Sequence, residues 1–252
     1  MEYCNILTRI EKPVARIILN REEKLNTINV EMVEEILDFI GSIEDDNDIR
    51  VLIISGGKNF SAGADVTTFT NIDSMKALAF HKALNSLALK FRESKKIILA
   101  MISGYCLGGG FELALSADMR IASRDAILGQ PEINLGINAG AGGNVILPRI
   151  VGRGKALLMI LTGEKIDADR AYNYGIIDVL TESENLSSET EKLSMKIAQK
   201  PFNASYLAKM AVNYGSELNI KSALEYEATI FGLLFSTMET KERIGNFLNK
   251  KH

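Results

Sequence analysis

The sequence predicts a layered α/β fold, because short strand-like runs alternate with helical stretches. Residues 51–54 and 97–102 are apolar runs with the length and aliphatic content of buried strands. Apolar residues recur at helical spacing over 32–43, and a second helix is expected over 74–93. A strand that is followed by a helix and another strand needs a crossover connection, which indicates helices packed on a sheet.

The N-terminal part predicts two short strands and a loop before the first helix. Residues 4–10 and 14–20 carry strand-like apolar content on either side of Pro13. Residues 20–29 are polar and predict the loop.

Both buried strands lead into loops of small residues. Residues 55–65 follow the first strand, and a glycine triplet at 108–110 follows the second and opens a helix with Glu112 in its first turn. Folds of the α/β class commonly place their sites at the carboxyl ends of strands. The two loops are therefore expected to converge and to offer backbone N–H groups to negative charge.

The glycine triplet excludes two phosphate-binding motifs. A Walker loop needs Gly-Lys-Ser/Thr, but Phe111 and Glu112 follow the glycines here. A dinucleotide fingerprint needs a glycine where this chain has Leu113. Taken alone, the triplet is more typical of a turn that packs a helix closely on a sheet than of a site.

Beyond residue 118 the predicted chain becomes largely helical. The predicted strands are 119–123, 126–128 and 176–180, and the predicted helices are 153–162, 167–174, 187–199, 202–214, 219–236 and 239–250. Pro201 marks a boundary, so we expect a core at 1–199 and a helical region at 200–252.

Composition limits the class of protein. The chain has 252 residues with a formal net charge of −3, 46% hydrophobic and 24% charged, which is ordinary for a globular protein with a sizeable core. Dedicated nucleic-acid binding is disfavoured because it usually needs a basic stripe. Cys4 and Cys106 indicate no disulfide framework. Neither a leader nor a membrane-spanning run is found, so a cytoplasmic protein is expected.

Two acidic residues stand in apolar, glycine-rich surroundings. Glu112 follows the glycine triplet, and Glu132 follows Pro131, whose fixed backbone helps to hold it in one place. Buried carboxyl groups are costly unless they are paired or used in chemistry. The alternative for each is a hydrogen-bonded helix cap or turn residue, and without further evidence that alternative is favoured.

Histidine and cysteine indicate no second site. His81 falls in a predicted helix and His252 ends the chain. A Ser-His-Asp triad would have to use His81, around which there is no motif, and a zinc site would lack ligands. Cys106 has Tyr105 and Leu107 beside it and is predicted to be a buried structural thiol.

Several sequence blocks occur in a specific order and spacing. They are Asn-Arg-Glu-Glu-Lys-Leu-Asn at 20–26, Phe-Ser-Ala-Gly-Ala-Asp at 60–65, Gly-Gly-Gly-Phe-Glu-Leu-Ala at 108–114, Gly-Gln-Pro-Glu-Ile-Asn-Leu-Gly at 129–136 and Leu-Thr-Gly at 161–163. In these blocks the chain resembles the crotonase superfamily, and most closely its enoyl-CoA hydratases. The resemblance covers essentially the whole chain.

The resemblance implies a fold and an assembly. Residues 1–199 are expected to form a crotonase-like spiral of repeated ββα units that binds acyl-CoA. Residues 200–252 are expected to form a helical oligomerisation region, which in relatives builds homotrimers that often pair into hexamers.

The resemblance also implies a reaction, the syn addition of water to the C2–C3 double bond of a 2-enoyl-CoA thioester in fatty acid metabolism. Glu112 and Glu132 fall on the positions of the two catalytic glutamates, so Glu112 is the expected general base and Glu132 the expected proton donor to C2. The backbone N–H groups of Ala64 and Gly109 are the expected oxyanion hole for the enolate. Neither a metal nor a redox cofactor is implied.

Coenzyme A is expected to bind along the same loops. The resemblance places Lys24 near the phosphates and Ala62 near the adenine. The full predicted binding set is Lys24, Ala62, Ala64, Asp65, Val66, Gly108 and Gly109. A lysine in a polar loop is as often merely solvated, and this alternative stays open for Lys24.

One block departs from the family pattern. Where relatives commonly have Thr-Gln-Arg after a second glycine cluster, this chain has Asn144, Val145 and Ile146. The change leaves open another acyl-CoA reaction, such as double-bond isomerisation. A non-enzymatic member that binds RNA or protein is a second alternative, which the acidic net charge and the presence of both glutamates disfavour.

Overall fold

The computed structural model describes residues 3–70 and 72–249. It divides into two compact units, one up to Ser194 and the other from Met195 onward. The functional division predicted at residue 200, into a catalytic core and an oligomerisation region, stays a prediction.

The first unit contains nine named strands and seven helices that begin within it. The strands are β1 Ile6–Glu11, β2 Val14–Leu19, β3 Val51–Ser55, β4 Ile97–Ile102, β5 Tyr105–Leu107, β6 Met119–Ser123, β7 Ile127–Gly129, β8 Lys165–Asp167 and β9 Val179–Thr181. The helices are α1 Val30–Ile43, α2 Ser74–Glu93, α3 Gly109–Ser116, α4 Gly143–Val151, α5 Arg153–Thr162, α6 Ala168–Asn173 and α7 Leu186–Ala198. These counts refer to the described residues.

Two sheets organise this unit. The larger has the strand order β1-β2-β3-β4-β6-β9, with β1 antiparallel to β2 and every later pair parallel. The smaller has the order β5-β7-β8, with β5 and β7 parallel. All five residues of β3 are buried, as expected for a central strand of a parallel sheet covered on both faces.

Helix α1 shows how local sequence fixes an element. The side chain of Asn29 accepts a hydrogen bond from the N–H of Met32 at 3.1 Å, which caps the helix. Met32, Val33 and Ile36 lie on one face and are buried in the main core, so burial of that face holds the helix to the sheet.

Backbone hydrogen bonds join the loop after β3 to the turn after β4 and to the strand β5 that follows it. The N–H of Phe60 donates to Ser103 O, the N–H of Ser61 to Tyr105 O, and the N–H of Leu107 to Ser61 O, each at 2.9 Å. A side chain on Gly110 would meet Ser61, because a Cβ there lies 2.5 Å from the Ser61 Cβ. The triplet therefore brings the start of α3 directly against the first loop, and the predicted convergence of the two loops is confirmed.

The second unit is helical. It contains α8 Phe202–Gly215, α9 Ile220–Leu234 and α10 Met238–Asn249. The side chain of Asn219 caps α9 by accepting a hydrogen bond from the N–H of Ser222 at 3.1 Å. Residue 250 of the last predicted helix, and His252, lie outside the described residues.

Several short elements differ from the sequence prediction. The strand predicted at 176–180 is wrong in position, because Ile176 and Ile177 are buried in a turn and β9 begins at Val179. Helix α4 was not predicted, since it begins at a glycine and contains Pro148. The three-residue strands β5 and β8 are too short to show a period.

Candidate active site

Glu112 lies on α3 with its side chain turned into the protein. It is 3% exposed, and its Oε1 accepts hydrogen bonds from the N–H groups of Ala141 at 2.7 Å and Gly143 at 2.8 Å. Burial raises the pKa of this carboxyl group, and the hydrogen bonds from the backbone oppose that rise. The two donors favour the charged form and so limit the rise that burial causes.

Glu132 has a different environment. It lies in a 3₁₀ helix, Pro131–Leu135, and its Oε2 is buried without a hydrogen-bond partner in the described part of the chain. Burial raises the pKa of Glu132 to about 7, and the nearby charge of Glu112 adds to the rise. This carboxyl group therefore keeps its proton to a higher pH than an ordinary glutamate does.

Both glutamates line one cavity of about 360 Å³. Its other walls come from the loop after β3, from α2, from the start of α3 and from the segment around Gly140. Apolar lining residues include Phe69, Leu84 and Ile137. A cavity of this size with few polar groups is typical of a site for a small organic group.

Two backbone N–H groups sit at the edge of this cavity. Gly109 is the first residue of α3, so its N–H has no partner within the helix. Ile28 forms a parallel bridge with Ala64 through the residues on either side of it. The N–H of Ile28 donates to Gly63 O, and the N–H of Asp65 donates to Ile28 O. The N–H of Ala64 therefore points away from Ile28. Within 3–70 and 72–249, neither N–H has an acceptor.

The two groups are adjacent because both loops are built from glycine. A Cβ on Gly109 would lie 3.3 Å from the nitrogen of Ala64, and a Cβ on Gly63 would lie 3.6 Å from the nitrogen of Gly109. Two free donors side by side at a helix start, where the helix dipole is positive, form a site for a developing oxyanion.

The residues of the predicted coenzyme-binding set fall into two groups. Cavity-lining members are Ala62, Ala64, Val66, Gly108 and Gly109. Lys24 and Asp65 do not line the cavity.

Asp65 instead makes contacts within the loops. Its Oδ2 accepts a hydrogen bond from Arg21 at 2.8 Å and lies 3.7 Å from the Nζ of Lys24, whose side chain is half exposed. Hydrogen bonds from Thr67 and then from Arg21 lower the pKa of Asp65 to about 2. This carboxylate therefore ties the loop that carries Ala64 to the loop that carries Lys24.

Sequence reasoning missed one residue that lines the cavity and one buried residue beside the segment that holds Glu112. His81 of α2 lines the cavity, and nothing in its helical pattern marked it as different from a packed residue. Gln130 is 1% exposed, and neither of its side-chain polar atoms has a partner in the described chain. A Cβ on Gly143 would lie 2.3 Å from the Gln130 Nε2, so this amide lies beside the segment that holds Glu112. The position of Gln130 next to Pro131 and Glu132 was the one feature of the sequence that could have marked it as part of the site.

The residues that depart from the family pattern lie outside the cavity lining. Asn144 donates a hydrogen bond from Nδ2 to Ala139 O at 2.7 Å, and Val145 is 55% exposed. Ile146 packs toward Gly142, where a Cβ would lie 2.9 Å from its Cδ1. Their influence on the site is therefore through the backbone of the loop that contacts Glu112.

Other chemistry is sparse in the described residues. Cys106 is buried, as predicted, and burial raises the pKa of its thiol. No three His, Cys, Asp or Glu side chains within 3–70 and 72–249 cluster as metal ligands. Among the described helices, none has both the length and the apolar character needed to cross a bilayer.

Together the fold and the cavity define a class of protein. Strand–loop–helix units supply two adjacent N–H donors, and one buried and one half-buried carboxyl group with unlike environments lie beside them, an arrangement that identifies a crotonase-type α/β protein.

The chain belongs to the enoyl-CoA hydratase/isomerase family, whose model matches residues 9–252. It is 38% identical to the crotonyl-CoA hydratase of Syntrophomonas wolfei, with 100% of this chain and 97% of that protein covered. It is 35% identical to the short-chain-enoyl-CoA hydratase of Clostridium acetobutylicum, with the same coverage. A solved enoyl-CoA hydratase from Thermoplasma volcanium superposes with a TM-score of 0.91 at 40% identity and covers 96% of each chain. The predicted crotonase-like fold is thereby confirmed.

Proposed function

We propose that the protein is an enoyl-CoA hydratase, which adds water across the C2–C3 double bond of a 2-enoyl-CoA thioester. One observation carries the proposal: Glu112 and Glu132 line the same cavity, beside the free N–H groups of Ala64 and Gly109. The full-length similarity to proteins named crotonyl-CoA hydratase and short-chain-enoyl-CoA hydratase supports it.

The unlike environments of the two carboxyl groups support a division of roles. Glu112 receives two backbone hydrogen bonds that favour its charged form, so it is the proposed general base. Glu132 has a pKa of about 7 and an unpartnered oxygen, so it is the proposed acid. When environments separate the proton affinities of two carboxyl groups, one can act as base while the other remains an acid.

In the proposed reaction a water molecule lies between the two carboxyl groups. Glu112 takes a proton from this water while the oxygen of the water forms a bond to C3. The electrons of the C2–C3 double bond move toward C1, and the thioester oxygen becomes an enolate oxygen. Glu132 then gives its proton to C2, on the same face of the double bond, and the 3-hydroxyacyl product results.

The enolate oxygen is the species that needs stabilisation. Ala64 and Gly109 are the proposed donors to it, and the start of α3 adds a favourable dipole. Because the donors belong to the backbone, a change of side chain acts on them only by displacing the loop. Loss of one such donor in other enzymes costs roughly 3–4 kcal/mol of transition-state stabilisation.

Coenzyme A is proposed to enter over the loop formed by Ala62, Ala64 and Val66, all of which line the cavity. Lys24 keeps a partly exposed ammonium group at the edge of that loop, which supports its proposed contact with the phosphates. The reaction as written needs neither a metal nor a redox cofactor, and their absence stays a prediction. A cytoplasmic location and a role in fatty acid metabolism also stay predictions.

Self-association is proposed through the helical unit. Val212, Ile220 and Phe231 are 71%, 76% and 62% exposed, which is unusual for such large apolar side chains. We propose that these exposed side chains pack against a second copy of the chain, in a homotrimer or a hexamer. Sedimentation velocity tests this, and a monomer at micromolar concentration would contradict it.

The central experiment is hydration of crotonyl-CoA by the purified protein, followed as loss of the conjugated enoyl-thioester absorbance. Glu112→Gln and Glu132→Gln are each expected to lower kcat by at least about two orders of magnitude, since positioned proton transfer contributes about 10²–10⁴-fold. Glu184→Gln is the control, because Glu184 is exposed and lies outside the cavity lining.

Two other results would change the assignment. The first is a protein that acts on a 3-enoyl-CoA but hydrates neither crotonyl-CoA nor longer 2-enoyl-CoAs. If that activity survives Glu112→Gln or Glu132→Gln, the protein is a double-bond isomerase that uses a single glutamate. Absence of acyl-CoA binding would exclude the whole class of reactions.

A further inference from the structure

His81 is a polar side chain in an otherwise largely apolar part of the cavity wall. Its imidazole is half buried, and its ring packs edge-on to Phe80 at 5.5 Å between centroids. Its Nδ1 is buried and has no hydrogen-bond partner in the described residues. The apolar side chains of Phe69 and Leu84 line the same cavity.

The contact with Gly140 fixes how the ring is turned. A Cβ on Gly140 would lie 2.3 Å from Nδ1 and 2.5 Å from Cε1, so the backbone of Gly140 covers that edge of the ring. An N–H at Nδ1 would be a buried donor without an acceptor, which is unfavourable. The favoured tautomer therefore carries its proton on Nε2, the nitrogen away from Gly140.

Burial lowers the pKa of the imidazole, which favours its neutral form. A neutral ring with Nε2–H offers one donor on the uncovered side, and His81 lines the cavity.

The position of His81 relative to the reacting atoms follows from its neighbours. The thioester oxygen belongs at Ala64 and Gly109, and C3 belongs near Glu112. Gly140 directly precedes Ala141, which donates to Glu112, so His81 lies in the cavity wall beside the segment that holds Glu112. Atoms of the acyl chain beyond C3 would meet it.

The charges in the cavity decide what kind of group suits this donor. Two carboxyl groups, Glu112 and Glu132, line the same space and disfavour an anionic substituent. Lys165 also lines the cavity, but its ammonium group lies over the ring of Tyr105 at 5.6 Å. A neutral oxygen, such as a hydroxyl or a ketone, is the group that a neutral N–H recognises without that repulsion.

We propose that His81 is a specificity-determining residue that donates a hydrogen bond to a neutral oxygen on the acyl chain beyond C3, so that the protein prefers short 2-enoyl-CoA thioesters with a hydroxyl or keto substituent near C4. This inference rests on the proposed function, because it takes the acyl chain to lie past Glu112.

The test compares crotonyl-CoA with 4-hydroxycrotonyl-CoA as substrates. The wild type is expected to show a kcat/KM about 2- to 10-fold higher for the hydroxylated compound, the net effect of one added hydrogen bond. His81→Phe keeps a ring against Gly140 and removes the N–H, so it is expected to abolish this preference while crotonyl-CoA is still hydrated. His81→Gln restores a donor and is expected to recover part of the preference.

A binding measurement separates this inference from the proposed function. Calorimetry measures the affinity for butyryl-CoA and for 4-hydroxybutyryl-CoA, saturated compounds that cannot be hydrated. The wild type is expected to bind the hydroxylated compound more tightly, by a factor similar to that expected for kcat/KM. Equal affinities for the two compounds, or a preference that His81→Phe leaves unchanged, would overturn the role of His81. Failure to hydrate either substrate, with selective binding intact, would instead overturn the hydratase assignment.

Discussion

Gly108 and the carboxyl group of Glu132 are in near contact, since a Cβ at position 108 would lie 2.9 Å from the Glu132 Oε1. Gly108 also has a φ of +50°, in the region that side chains disfavour. Glycine at position 108 therefore allows the turn into α3 and leaves room for the carboxyl group of Glu132, the proposed acid.

Gly108→Ala is expected to displace Glu132 and to lower kcat by about two orders of magnitude, because a misplacement of about 1 Å can cost that much. The assay is hydration of crotonyl-CoA. Gly175→Ala is the matched control, since Gly175 has a φ of +78° with open space around its Cβ position. The control is expected to lose stability but to keep its activity, and equal loss of activity in both variants would contradict the explanation.

The pH dependence of kcat/KM is expected to show an alkaline limb near pH 7. Glu132 must be protonated to act as the acid, and its pKa is raised to about 7, so the active form is present below that pH and is lost above it. A profile that stays flat from pH 6 to pH 9 would be incompatible with Glu132 as the acid.

The same shift predicts an effect on stability. A raised pKa in the folded state stabilises the protein at low pH, and this contribution is lost as the pH rises through about 7. Glu132→Gln, which cannot ionise, is therefore expected to raise Tm relative to wild type at pH 8 more than at pH 5.

The oxyanion donor at Gly109 can be removed with little change to the helix. Proline is tolerated at the first helical position, where its missing N–H has no helical partner. Gly109→Pro is expected to lower kcat by about 10²–10³-fold relative to Gly109→Ala, which adds a Cβ but keeps the N–H. Circular dichroism checks that both variants fold. Similar kcat values for the two variants would show that the N–H at 109 does not take part.

Asp65 is expected to stabilise the loops at neutral pH and not in acid. Its pKa is lowered to about 2 by Thr67 and Arg21, so its contribution is present above the unfolded value of about 3.9 and disappears as the pH falls through about 2. Asp65→Asn should lower Tm at pH 7 and leave it nearly unchanged at pH 2. Asp45→Asn is the control, since its side chain is 91% exposed and surface ion pairs contribute little. A Tm deficit of Asp65→Asn that is the same at both pH values would rule out an ionic origin.

Local sequence was enough to predict the elements that present Glu112. The apolar run before the glycine triplet and the helix after it are both short-range patterns, and β4 and α3 form as expected. The donors to Glu112 could not be predicted in this way, because Ala141 and Gly143 approach it only through the tertiary fold.

His81 shows the opposite limit of sequence reasoning. It lies on an amphipathic helix whose apolar pattern explains its neighbours, so only the cavity distinguishes it from them. The α4 segment was missed for a local reason, because glycine at its start and Pro148 inside it are both typical of helix ends.

The three backbone hydrogen bonds that join the loop after β3 to the turn after β4 and to β5 have a consequence for inhibitor design. They set the separation of the Ala64 and Gly109 nitrogens before any ligand arrives, so the donor pair is a rigid template. A stable anion that imitates the enolate, carried on a pantetheine arm, would bind without the entropic penalty of ordering a loop. Its affinity should then depend on how well its oxygen matches that fixed spacing.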